Sequence, residues 1–253
     1  MIKKILFTVA SCALFFSTAN AQKYISLGPV ISFGHSGLTN GKYFVGMNDA
    51  HLKSKFHPSS TAGISAIYAK NPHWGFGGEL LFEQSGFTKN IKFNSSKPVS
   101  VGLPPISVPM DYDQTKDVSY IRIPLRVYYF FGQYKQKVRP KVYAGPSFGF
   151  KLAENNKLEG NDEYTVEQIN SFGEDAYPNP EFNTFDLGLQ VGAGANITLG
   201  KAVWLNADIN YYQGFLDAMK DSEHPYTMKN GTNWNQNLRL QVGVLFGLGR
   251  LKK

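Results

Sequence analysis

The stretch Asn237-Leu-Arg-Leu-Gln-Val-Gly-Val-Leu-Phe-Gly-Leu-Gly249 puts Leu238, Leu240, Val242, Val244, Phe246 and Leu248 at every even position, with Arg239, Gln241, Gly243, Leu245 and Gly247 between them. A repeat of two is the spacing of a strand with one apolar face. Upstream, Val203, Leu205, Ala207, Ile209 and Tyr211 alternate with Trp204, Asn206, Asp208 and Asn210. Phe185 to Leu199 repeats the pattern against Asp186, Gly188, Gln190, Gly192, Gly194, Asn196 and Thr198. A helix there would bury Asp and Asn on its apolar stripe. In Tyr120 to Phe131, Ile121, Ile123, Leu125, Val127, Tyr129 and Phe131 form one face and Arg122, Pro124 and Arg126 the other. Tyr24 to Gly34, Thr61 to Asn71, Trp74 to Phe87 and Arg139 to Ala153 bring the segments to eight.

Each segment is long enough for a tilted strand to cross a bilayer core, which takes roughly 9 to 11 residues. The connections alternate without exception: long (His35 to Ser60), short (Pro72-His73), long (Thr88 to Lys116), short (Gly132 to Lys137), long (Glu154 to Asn183), short (Gly200-Lys201), long (Phe215 to Asn235). A soluble sandwich has no reason to gather every long loop at one end. An outer-membrane barrel does, with short periplasmic turns, longer external loops and an even strand number. The expected fold is therefore all-β: an eight-stranded antiparallel up-and-down transmembrane β-barrel.

Composition agrees. Among 253 residues, 42% are hydrophobic, 14% aromatic and only 18% charged, which excludes a disordered chain. Twenty-five glycines disfavour helices. Met1-Ile-Lys-Lys4, the apolar run Ile5 to Phe16 and Ala19-Asn-Ala21 read as a signal peptide over residues 1–21, with the barrel domain over 22–253. Cys12, the sole cysteine, leaves with it, as do Lys3 and Lys4, which lowers the formal charge from +7 to +5. Because Ala13-Leu-Phe-Phe16 continues the apolar run past Cys12, lipidation is not expected. Downstream no stretch approaches the roughly 18 apolar residues of a spanning helix, so membrane crossing falls to strands.

On such a barrel the apolar face looks to lipid and the polar face inward. That places Glu79, Glu83, Arg122, Arg126, Asp186, Asp208 and Arg239 in the lumen. Glu79 and Glu83 are expected to pair with Arg122 and Arg126, and Asp208 with Arg239 across the last hairpin. Eight strands leave an interior that side chains can fill, so these charges read as a structural salt-bridge plug rather than a conduction path. Gly75, Gly77, Gly145 and Gly149 fall mainly on the inner register, where room is scarce.

Ser119-Tyr-Ile-Arg-Ile-Pro-Leu125 leading into Tyr128-Tyr-Phe-Phe131, then Pro140-Lys-Val-Tyr-Ala-Gly-Pro-Ser147, then Phe185-Asp-Leu-Gly-Leu-Gln-Val-Gly-Ala-Gly194 resemble, in that order, the PorT-like outer-membrane β-barrel family of Bacteroidetes. The resemblance covers roughly residues 22 to 249 and implies architecture and location rather than an activity. One departure is the end of the chain, where Gly249-Arg-Leu-Lys-Lys253 follows Phe246 in place of a terminal aromatic residue.

Catalytic, cofactor and metal sites are not expected. The histidines His35, His51, His57, His73 and His224 fall in expected loops or at strand ends, without a short ligand spacing. Asp49, His51 and His57 share the first external loop, the one place for a divalent cation. Ser119 and Ser147 lack an inward histidine at mid-height to act as base. Gly192-Ala-Gly194 opens no helix and so is no phosphate loop. Lys135-Gln-Lys137 and Arg250 to Lys253 suit lipid head groups better than nucleic acid. The sequence thus predicts a non-enzymatic outer-membrane barrel, structural or accessory to an envelope complex. The alternative is a ligand- or partner-binding or transport barrel acting through its external loops.

Overall fold

Nine strands follow one another in the computed structural model, which describes residues 25–39, 51–69, 71–97, 106–133, 136–160, 181–200, 202–220 and 233–248. They are β1 (Ile25–Thr39), β2 (His51–Lys55), β3 (His57–Ala69), β4 (Trp74–Lys97), β5 (Ile106–Phe130), β6 (Val138–Gly160), β7 (Phe185–Gly200), β8 (Val203–Gly214) and β9 (Trp234–Leu248). Every pairing is antiparallel: β1 with β3, β2 and β3 with β4, each later strand with the next, and β9 back with β1, where Ile25 faces Leu248. β2 is no extra stave. It continues β3 along β4 after a bulge: Lys55 faces Thr88 and Ser60 faces Gln84, so Phe56–Ser59 oppose only Ser85–Phe87. The result is the expected closed eight-stave up-and-down barrel.

The strands run further than their apolar alternation. Residues 88–97 and 106–116, read from sequence as one loop, are a paired hairpin from Thr88↔Thr115 to Lys97↔Ile106. β6 likewise continues to Gly160, and His35–Thr39, His51–Lys55 and His57–Ser60 of the first expected loop are strand. Beyond the lipid both faces of a strand can meet water, so pairing persists while the apolar period is lost. Polar side chains tie this extension together instead. Asn90 Nδ2 donates to Asp111 Oδ1 at 2.8 Å and Asp113 Oδ1 at 2.9 Å, and Lys92 Nζ meets Asp111 Oδ2 at 2.5 Å.

The opposite end closes in tight turns. Asn71 Oδ1 accepts from the backbone N–H groups of His73 (2.9 Å) and Trp74 (2.7 Å), the hydrogen bonding that asparagine supplies to turns. Gly132 takes a φ of 86°, open to glycine at no steric cost, where β5 turns toward β6. Outward aromatics gird this end: Trp74 and Phe131 each stand edge to face with Tyr129, at 5.1 Å between centroids. Phe33, Phe150 and Phe185 point outward toward the other. Between these girdles Ile31, Ile64, Leu80, Leu125, Leu240 and Val242 all face out, and the inward residues are buried.

The signal-peptide reading of 1–21 with Cys12, and the readings made of Asp49, His224 and Arg250–Lys253, lie outside the described residues.

Candidate functional site: the barrel lumen

Inward positions converge on the axis in tiers. Nearest the short turns, Ile67, Tyr128, Phe130, Tyr143 and Leu245 form a buried apolar cluster backed by Trp204. The rings fit because glycines stand beside them. A Cβ on Gly77 would lie 2.9 Å from the Tyr128 ring, and one on Gly192 would lie 2.3 Å from that of Tyr143. Above the cluster, Lys141 Nζ contacts Asp208 Oδ2 at 3.1 Å and hydrogen-bonds Asn206 Oδ1.

The middle tier is a closed circuit. Arg126 Nη1 donates to Glu79 Oε1 at 2.6 Å, and Arg126 Nε and Nη2 donate to Gln190 Oε1 at 3.2 and 3.0 Å. Gln190 Nε2 donates to Asn210 Oδ1 (3.1 Å), Asn210 Nδ2 to Gln241 Oε1 (3.2 Å), and Gln241 Nε2 back to Glu79 Oε1 (2.8 Å). Side chains from β4, β5, β7, β8 and β9 thus join around the lumen.

In the upper tier Glu83 Oε2 lies 2.7 Å from both Arg122 Nε and Arg239 Nη1. Arg122 Nη2 donates to Asp186 Oδ2 at 2.9 Å, and Asn235 Nδ2 donates to the same oxygen at 3.0 Å. The Arg122 guanidinium also lies over the Tyr212 ring at 4.1 Å. Gly149 leaves the space it occupies, since a Cβ there would sit 3.4 Å from its Cζ. Glu83 is 0% and Arg122 1% exposed, so neither charge is solvated from the mouth. Across the three tiers Glu79, Glu83, Asp186 and Asp208 match Arg122, Arg126, Lys141 and Arg239 one for one.

A cap lies over the mouth. Phe182, Ala218 and Met219 pack on Phe87, Val118 and Tyr120, and Asn183 Nδ2 donates to the carbonyls of Asp217 (2.8 Å) and Met219 (2.9 Å). At its edge Lys220 hydrogen-bonds Glu181 at 2.5 Å, which holds the Glu181 carboxyl below its ordinary range and raises the Lys220 ammonium.

All seven charges read into the lumen from sequence are buried there, and Glu79–Arg126 and Glu83–Arg122 meet. Asp208 and Arg239 do not pair with each other. Register sets Asn210 opposite Arg239 and Asp208 opposite Gln241, so Arg239 reaches across to Glu83 and Asp208 takes Lys141. Sequence reasoning missed Lys141, Gln190, Asn210, Gln241 and the inward tyrosines. Strict alternation marks them all as inward, but a search for charge pairs across neighbouring hairpins passes over neutral amides and rings, and over Lys141, whose partner Asp208 stands on β8, two staves away.

Chemistry at the rim is limited by existing bonds. His57 is buried in β3, where Nδ1 lies 3.1 Å from Thr88 Oγ1 and Nε2 lies 3.4 Å from Asp117 Oδ1, so neither ring nitrogen is turned to a serine. Ser147 is buried and Ser119 lies on the wall. Among the described residues no three His, Cys, Asp or Glu side chains are gathered to hold a metal ion.

The sequence profile of the family "Outer membrane protein beta-barrel domain" matches residues 17–220. No curated protein matches the chain. Among solved structures, the chain is similar to the outer membrane protein OprG from Pseudomonas aeruginosa, at 9% identity, covering 92% of this chain and 99% of that one with a TM-score of 0.44. It is also similar to Neisserial surface protein A, at 13% identity, 88% and 97% coverage and a TM-score of 0.43. The outer membrane protein W of E. coli matches at 12% identity, 87% and 97% coverage and a TM-score of 0.34.

Proposed function

The chain belongs to the outer membrane protein β-barrel domain family, and from that premise we propose that it is a closed, non-enzymatic barrel, PorT-like, serving as a structural or accessory component of an envelope complex. It resides in the outer membrane. The observation that carries the reading is the circuit Glu79–Arg126–Gln190–Asn210–Gln241, which spans the lumen at mid-height. An ion path needs groups that exchange partners with a passing ion. Here each side chain bonds the next, with Glu79 Oε2 the one circuit atom left without a partner, and removing any member strands its neighbours at a cost of about 1–3 kcal/mol for a neutral group and more for a charged one. The apolar cluster below and the cap above close the same axis twice more.

The test is planar-bilayer recording on the refolded full-length protein. No stepwise conductance is expected; steady unitary steps from the wild type would overturn the closed-lumen reading. Crosslinking in native membranes should recover the chain joined to another envelope protein, and its recovery only as single chains would remove the accessory role. A second reading, capture of a ligand or partner outside the cell, is favoured by the β4–β5 hairpin, which projects to Lys97 and Ile106, well past the Phe150↔Phe185 contact where β7 begins. Replacing residues 88–116 with a short turn separates the two: under the first reading, envelope crosslinks survive.

A further inference from the structure

β6 climbs past the wall that holds it. Its ladder with β7 stops at Phe150↔Phe185, and the Lys151 N–H donates to the Thr184 carbonyl at 2.8 Å, whereas its ladder with β5 runs on to Tyr112↔Gly160. Among the described residues no strand pairs with the other edge of β6 beyond that point. From Phe150 to Gly160 is roughly 30 Å of strand at about 3.3 Å per residue, which carries the open edge clear of the outward aromatics. Leu152 is the extra residue of a bulge between the pairs Ser119↔Ala153 and Tyr120↔Lys151, and it shifts the alternation by one. Before it Lys151 turns its peptide groups away from β5; beyond it Asn156, Leu158 and Gly160 do so, while Asn155, Lys157 and Glu159 stand exposed on the outer face.

An open edge accepts a further strand, and side chains decide which one. Glu159 lies beside Asp113 in the ladder, and that aspartate already holds Lys55; neither Glu159 nor Lys157 has an ionic partner among the described residues. The edge is complementary to itself. Set antiparallel against a second copy with Leu158 facing Leu158, it puts Lys157 opposite Glu159 on both sides of the two-fold axis. Those pairs take the non-hydrogen-bonded positions, where side chains come closest, while Leu158 bonds Leu158 and Asn156 bonds Gly160 through the backbone. The edge of β2 matches β6 less well: Lys53 stands on the same face as Glu159, through Asn90 and Asp113, and setting those two opposite brings Lys55 against Lys157.

Orientation follows from the pairing. Every β6 runs from the short turns toward the mouth, so two copies in one membrane climb together and their β6 strands cannot lie antiparallel about a two-fold axis. We propose that the open edge of β6 pairs with that of a second copy inverted in a facing membrane, so that the protein joins two outer membranes by self-recognition. One pair is short, and many side by side between two surfaces supply the strength. The inference goes beyond the accessory role and does not depend on whether the lumen conducts.

The test places the refolded full chain, mouth outward, in phosphatidylcholine vesicles and reads clustering by turbidity. Wild-type vesicles are expected to cluster. Lys157→Glu and Glu159→Lys should each return turbidity to that of protein-free vesicles, because like charges then face each other. Vesicles of one variant mixed with those of the other should cluster again, since each carries the charge the other lacks. Both sites are exposed, so heat-modifiable migration should be unchanged in each. Register is read from single cysteines in a Cys12→Ser background, on chains of two lengths held in separate vesicles. Leu158→Cys should give a disulfide-linked dimer of mixed length, as facing Cα atoms lie about 5.5 Å apart; Asn156→Cys, which faces Gly160, should not. Wild-type vesicles that stay dispersed, single variants that cluster undiminished, variant mixtures that fail to cluster, or mixed-length dimers from Asn156→Cys in place of Leu158→Cys would each overturn the proposal.

Discussion

Arg239 on β9 meets Glu83 on β4 at 2.7 Å across the lumen, while Asp208, on the strand paired directly with β9, turns to Lys141 on β6 at 3.1 Å. Closing a sheet into a barrel brings staves face to face that no hairpin connects, and a long guanidinium exploits that distance. Glu83 thereby holds two arginines, Arg122 and Arg239, with one carboxylate oxygen.

Glu83→Ala should therefore be among the most damaging single changes in the lumen. Two buried guanidinium groups lose a counterion at once, and breaking one side of a buried pair costs about 3–5 kcal/mol. Arg122→Ala should fall in the same range, because it takes from Asp186 its cationic partner, leaving it Asn235, and from Glu83 one of its two arginines. Urea unfolding in phospholipid vesicles gives both values; a loss below about 1 kcal/mol in either would mean that water reaches these groups.

Partner choice is a separate question, and a double-mutant cycle answers it. Glu83/Arg239 should show a coupling energy within the roughly 0.5–3 kcal/mol of contacting pairs, and Asp208/Arg239 should be additive within about 0.5 kcal/mol. The reverse order would restore the hairpin pairing that the sequence suggests.

Short distance alone does not predict strength. Lys92 and Asp111 are 2.5 Å apart, closer than Arg122 and Asp186 at 2.9 Å, yet the Lys92 side chain is 58% exposed. Solvent and salt screen such a pair, so Asp111→Asn should change stability by no more than about 1 kcal/mol. An effect as large as that of Glu83→Ala would show that the hairpin extension is part of the cooperative core.

The inward rings make a prediction of volume. Gly192 faces the Tyr143 ring so closely that an added methyl meets it at 2.3 Å, and Tyr143 is itself buried against Tyr128 at 5.2 Å between centroids. Gly192→Ala should cost about 1–3 kcal/mol by overpacking. Combining it with Tyr143→Phe should give no relief, since the ring remains, whereas Tyr143→Leu should recover part of the loss. Full stability in the single variant would show that the ring can move aside.

What can be read from the sequence is what the bilayer imposes. Where a strand has lipid on one side and a packed lumen on the other, as in β9, alternation fixes element, face and register together. Where β4 and β5 leave the lipid, as at Lys89-Asn-Ile-Lys92 opposite Asp111-Tyr-Asp-Gln114, nothing in the apolar pattern marks a strand although the ladder is unbroken. The lumen divides the same way. Which residues point inward follows from a period of two, so Glu83 and Arg239 are legible as lumen charges. Their contact follows from closure and from the tilt of opposite staves, which no local pattern encodes. The bulge at Phe56–Ser59 is invisible for a third reason: it is a single-residue register slip, and only paired partners reveal it.

Register on β9 yields the most direct test of the face assignment. Val242 is 45% exposed and pairs with Ile31 on one side and Ala207 on the other, while Gln241 is 2% exposed and belongs to the lumen circuit. Val242→Arg puts a charge against hydrocarbon near mid-strand and should cost about 2–4 kcal/mol. A soluble sandwich would also reject that arginine, so stability alone does not decide. A single cysteine does, introduced into a Cys12→Ser background so that no other thiol is present. At 242 it should resist water-soluble maleimide in intact membranes, and a fluorophore attached after refolding should be quenched by brominated lipid but not by iodide. At 241 the response to brominated lipid should be weak. Strong lipid quenching at 241 with none at 242 would reverse the faces of β9, and with them the lumen assignment of Arg239.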